Sequence, residues 1–137
     1  MTAKEYLGQA YRIDQRINSK LEQVQSLRGL AAKATLTLGD GTHNATRNVH
    51  SMQETIAKIV DLENEINRDI DSLVDVKREI VSVIKRVQNP EYQTLLELRY
   101  LCYKTWPEIS VKLSLDSRWV HRLHTKSLSE VDVIRHL

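Results

Sequence analysis

The sequence predicts an all-α protein, a long antiparallel helical hairpin (coiled-coil-like) followed by a C-terminal helix-turn-helix head. Three observations carry this reading. Apolar residues recur at alternating steps of three and four between Val49 and Val87, the heptad signature of a helix with one packed seam. Residues Thr94–Val131 have the spacing of a helix-turn-helix whose second helix carries three cations and no acid. Two prolines, four glycines and no Phe among 137 residues, with 28% charged residues, suit helices rather than sheets.

The first segment presents Leu7, Ala10, Ile13, Ile17, Leu21, Val24, Leu27, Ala31, Ala34 and Leu38 as a loose apolar stripe. Gly39-Asp40-Gly41-Thr42-His43-Asn44 then reads as a turn-rich linker, the predicted bend of the hairpin. Beyond it, Val49, Met52, Ile56, Ile59, Ile66, Ile70, Leu73, Ile80, Ile84 and Val87 mark a stricter heptad, interrupted at Glu63 and Lys77. A helix of about 40 residues would be roughly 60 Å long, and Asn89-Pro90 ends it. Residues 1–38 carry six cations against three acids, and residues 48–88 carry six against eight. That opposition suits antiparallel pairing. The domain division is therefore 1–88 for the hairpin and 89–137 for the head.

A hairpin shields about one stripe of each helix, yet Val60, Leu62, Val74, Val76, Val81 and Val83 lie outside the main seam. A second copy of the chain is the simplest cover, so a homodimer is expected. The head folding back over these residues is the alternative.

In the head, Thr105 is placed to cap a helix, with Glu108 three residues on to complete a capping box and Pro107 in the first turn. That helix should end near Leu113. Ser114-Leu115-Asp116 forms the turn, and Asp116 or Ser117 caps the second helix. Ser110 and Ser114 fill the positions that want small residues, and Val120 and Leu123 the apolar ones. Ser114 stands where a positive φ is often required, which suits Gly better. Arg118, Arg122 and Lys126 follow at steps of four, with Val120, Leu123 and Leu128 behind them. Such a helix can enter a major groove. Phosphate attraction would come from Arg118, Arg122, Lys126 and Lys112, and base-edge reading from Ser117, Arg118, His121, Arg122 and Thr125.

Leu98-Arg99-Tyr100-Leu101, Trp106-x-Glu108-Ile109 and Arg118-Trp119-Val120-His121-Arg122-Leu123-His124 resemble the fourth region of bacterial sigma factors. The chain is more closely similar to small phage and prophage proteins of Gram-positive bacteria akin to the ArpU and RinA late-transcription regulators. Tyr92-Gln93-Thr94-Leu95-Leu96 and the long N-terminal part share in that similarity. The resemblance implies binding of double-stranded DNA at a phage promoter, with RNA polymerase as a second candidate partner.

Other chemistries are weakly signalled. His121 and His124 lie three apart without a Cys or acid at ligand spacing, and read as exposed histidines of a DNA-facing helix. Cys102, the single cysteine, reads as a buried helix thiol in a reducing cytosol. Asp61, Glu63, Glu65, Asp69, Asp71 and Asp75 fit a solvated helix face, Gly39-x-Gly41 does not continue into a phosphate-binding loop, and Trp106 and Trp119 read as core. With no catalytic constellation, no cofactor or metal signature, and no signal-peptide or membrane-length apolar run, the expectation is a non-enzyme in the bacterial cytoplasm. The leading function is a DNA-binding transcription regulator. A DNA-packaging protein of the small-terminase kind is an alternative, although there the DNA-binding head normally comes first. A coiled-coil interaction protein that targets a host factor without binding DNA is the third.

Overall fold

A computed structural model describes the backbone of residues 1–37 and 45–137, and the side chains of residues 1–34 and 49–137. The predicted bend at Gly39–Asn44, and Leu38 of the first stripe, lie outside the described residues. Among those described, every regular element is helical: α1 (Ala3–Leu7), α2 (Gln9–Thr37), α3 (Ala45–Lys85), α4 (Pro90–Leu96) with a π-helical turn (Glu97–Leu101), α5 (Trp106–Leu113) and α6 (Ser117–Arg135). None is long and apolar enough to cross a membrane.

The chain divides into two compact units, residues 15–71 and residues 1–14 with 72–137. Residue 88, the expected boundary, falls just past the end of α3, whereas the units part within the two long helices.

In the unit of residues 15–71, α2 and α3 run antiparallel. The ion pairs fix the register: Lys20 Nζ meets Asp69 Oδ2 at 2.7 Å and Glu65 Oε2 at 3.7 Å, and Arg28 Nη2 meets Glu63 Oε1 at 2.7 Å. The cations come from the first segment and the acids from the second, as their net charges predict. Glu63, an interruption in the heptad, is thereby an ion-pair partner. The exposed Arg28–Glu63 pair is worth about 0–1 kcal/mol, while Lys20 and Asp69 are largely covered; the pairs chiefly choose the alignment of the two helices. Burial does more, with Ile17, Val24 and Ile66 shielded from solvent. The stripes are only partly covered, because Leu21, Val49, Ile56 and Ile70 remain 39–48% exposed, and Leu30 and Val60 beside them are 52% and 49% exposed.

The other unit holds the main core. Leu7, Ile80, Ile84, Val87, Leu95, Leu96, Ile109, Val120 and Val131 are essentially inaccessible. Truncating one such side chain to Ala costs about 2–5 kcal/mol. α1 packs on α6, as do α4 and α5. A capping box starts α1: the Glu5 amide donates to Thr2 Oγ1 and the Thr2 amide to Glu5 Oε2, both at 3.2 Å. Tyr6 Oη donates to Glu79 Oε1 at 3.0 Å, beneath the Arg135 guanidinium 4.2 Å from its ring centre. Burial first, then Glu79, pushes the Tyr6 phenol up to about 12. Of the residues outside the main seam, Val76 and Val83 pack against this core, while Val74 is 49% exposed.

Candidate functional site

The helix-turn-helix forms from residues 105–135 by the local signals its sequence carries. Thr105 Oγ1 accepts from the Glu108 amide at 3.3 Å, and the Thr105 amide donates to Glu108 Oε1 at 3.4 Å. The Thr105 hydroxyl, which donates to Glu108 Oε1 at 3.0 Å, and then the Thr105 amide hold the Glu108 carboxyl below its usual range. α5 ends at Leu113, and Ser114 takes the left-handed conformation, φ 54° and ψ 42°. The sharp turn is locked from Ser110, whose carbonyl accepts from the Leu115 amide at 3.1 Å and whose hydroxyl donates to the Leu115 carbonyl. A small polar residue in mid-helix is therefore what lets the chain double back. Asp116 then caps α6, its Oδ1 accepting from the Trp119 amide at 2.8 Å.

On α6, Val120, Leu123, His124, Ser127, Val131 and Ile134 face the core. Ser117, Arg118, Trp119, His121, Arg122, Thr125 and Lys126 are exposed. The structure thus brings six of the seven sequence-selected residues onto one helix, and Lys112 stands apart in the last turn of α5. Arg118, Arg122 and Lys126 have no acid within ion-pair distance among the described residues. α6 runs on to Arg135 through Glu130 and Asp132, so the expected helix without acids is found only between Ser117 and Ser129.

Three expectations are corrected. Trp119 is 42% exposed and not core, because it follows the helical face of Arg122 and Lys126; that spacing of three and four was present in the sequence. His124 is buried, 7% exposed, since it falls one residue after Leu123 on the core-facing side. Cys102 is exposed, at the end of the π-helical turn.

Behind the exposed face of α6 lies an aromatic and cationic cluster that sequence reasoning missed. His124 Nε2 is 2.6 Å from Tyr100 Oη. Burial pushes the Tyr100 phenol up to about 12. Burial, then the positive charges of Lys4, Arg99 and His121, pushes His124 down to about 4, so the pair is a phenol against a neutral imidazole. Trp106 packs edge-on to His124, centroids 4.6 Å apart, and against His121 at 5.0 Å. The Arg99 guanidinium lies 4.3 Å from the Trp106 ring centre, and its Nη1 donates to the Lys104 carbonyl at 3.0 Å. The π-helical turn sets this register: the Cys102 amide reaches back to Glu97 and the Lys104 amide to Leu98, with Tyr103 at φ 58°. Single-turn π segments frequently accompany functional sites.

Among the described residues no group of three or more His, Cys, Asp or Glu is arranged to hold a metal ion. Comparison with curated proteins found no match, and comparison with solved structures found none. A family model described as "Protein of unknown function (DUF1492)" matches residues 43–132, a span that takes in α3 to α5 and most of α6. The chain belongs to the DUF1492 family.

Proposed function

We propose that the chain is a sequence-specific, double-stranded-DNA-binding transcription regulator of phage or prophage origin, with α6 as its reading helix. One observation carries the reading. A capped helix-turn-helix with a left-handed turn presents Ser117, Arg118, His121, Arg122, Thr125 and Lys126 together, and the cations lack acid partners among the described residues. Unpaired arginines one turn apart suit guanine edges and phosphates, and the short polar side chains suit neighbouring base edges. The similarity to ArpU- and RinA-like regulators and to the fourth region of sigma factors supports the phage assignment and RNA polymerase as a further partner. The uncovered residues Ile56, Val60 and Ile70 support a homodimer, which would supply two reading heads for a repeated site.

Selection of bound fragments from random duplex DNA, followed by titration of the selected site, tests this. Each of Arg118→Ala and Arg122→Ala should cost about 1–3 kcal/mol of binding where the arginine reads a base. Lys126→Ala should weaken all sequences alike and lower the salt slope by about one. Unchanged affinity and salt dependence in the double Arg variant would refute the reading.

A further inference from the structure

Beside the aromatic cluster, and outside the exposed face of α6, is a cavity of about 300 Å³ walled by Lys4, Tyr11, Arg99, Tyr100, Tyr103 and Thr105. We infer that it is a binding site for a small anion carrying a planar ring, such as an aryl or nucleoside phosphate.

The charge argument comes first. Lys4 and the half-buried Arg99 have no carboxylate within ion-pair distance among the described residues. A partly desolvated cation without a counter-ion is costly unless something anionic visits it. Arg99 gives one N–H to the Lys104 carbonyl and lies over the Trp106 ring, so the rest of its planar fork is available to a phosphate or carboxylate. Burial pushes the Tyr103 phenol up, Lys77, 4.9 Å from its ring centre, opposes the rise and Asp14 adds to it. Thr105 is occupied by its capping bonds to Glu108.

The walls supply the ring half of the chemistry. Tyr11 and Tyr103 meet edge to face, centroids 5.5 Å apart, beside Tyr100. Tyr103 keeps this place at a positive φ, which strains a non-glycine residue, and its shielded hydroxyl has no hydrogen-bond partner among the described residues. The volume lies at the small end of ligand pockets, about 300–1,000 Å³, which fits one ring and one anionic group.

The same walls touch the reading helix. Tyr100 bonds to His124, and Arg99 stacks on Trp106, which packs on His121. A ligand that draws on Arg99 would be felt at α6. That consequence rests on the proposed DNA reading; binding at the cavity does not.

The test uses the full chain with Trp119→Phe, leaving Trp106 as the only indole, titrated with phenyl phosphate while calorimetry reads binding directly. A saturable change in Trp106 emission is expected, with a dissociation constant of about 1 mM or below. Inorganic phosphate and phenol should each bind at least about tenfold more weakly, and Lys4→Glu, an exposed substitution, should weaken phenyl phosphate by about tenfold or more. Absence of calorimetric binding, equal binding in Lys4→Glu, or equal binding of inorganic phosphate overturns the inference. So does a Lys4→Glu variant that loses DNA affinity while phenyl phosphate has no effect on either protein, since the cations would then belong to the DNA backbone. Failure of the wild-type chain to bind any duplex would instead count against the proposed function alone.

Discussion

Acid should loosen the head through His124, and the effect can be worked from the burial of one ring. His124 is neutral in the folded chain down to about pH 4, because burial and then the charges of Lys4, Arg99 and His121 oppose its protonation, while Tyr100 Oη bonds to its Nε2. In the unfolded chain the imidazole titrates at its ordinary 6.5. Between those values the unfolded state holds more protons, so stability is full above pH 6.5 and falls as pH drops toward 4. The whole interval corresponds to about 3 kcal/mol at most, and to about 2 kcal/mol between pH 7.5 and pH 5. Urea unfolding at those two pH values should show the midpoint falling by roughly 1 M for a slope of about 2 kcal/mol per molar. His124→Gln retains a hydrogen-bonding partner for Tyr100 and does not titrate. It should lower stability at neutral pH and abolish most of the difference between the two conditions. Equal losses of stability in the wild type and His124→Gln would show that another group carries the acid response and that the ring is not desolvated as argued.

Other predictions follow from exposure and backbone geometry. Trp119→Ala should leave the melting temperature within about 2 °C of wild type while altering DNA affinity or sequence preference, since the indole is 42% exposed; a loss of several degrees in calorimetry would place it in the core after all. Ser114→Gly should raise stability by up to about 1 kcal/mol in chemical denaturation, because glycine accepts φ 54° without a Cβ penalty. Ile56→Glu with Val60→Glu should convert a dimer to a monomer in analytical ultracentrifugation without melting the head. A wild-type chain that is already monomeric at tens of micromolar would end the argument from the uncovered stripe.

Local chemistry sufficed to read several features from the sequence alone. The heptad from Val49 to Val87, the capping box at Thr105, the turn at Ser114 and the cap at Asp116 depend on residues within four or five positions of one another. The opposite net charges of the two long segments likewise suited the antiparallel pairing that Lys20–Asp69 and Arg28–Glu63 mark. Tertiary structure decided the rest. Which side of α6 faces inward depends on α1, α4 and α5 packing on it, and that placed His124 inside and Trp119 outside. The unit that contains the head draws in residues 1–14, more than seventy positions away from their partners, so Lys4 and Tyr11 could not be read as neighbours of Arg99 and Tyr103. Nor could the π-helical turn, which has no propensity signature of its own and arises where packing outbids one ladder of hydrogen bonds for another. Periodicity finds the stripe on a helix, but only the helices packed against it determine how much of that stripe water still reaches.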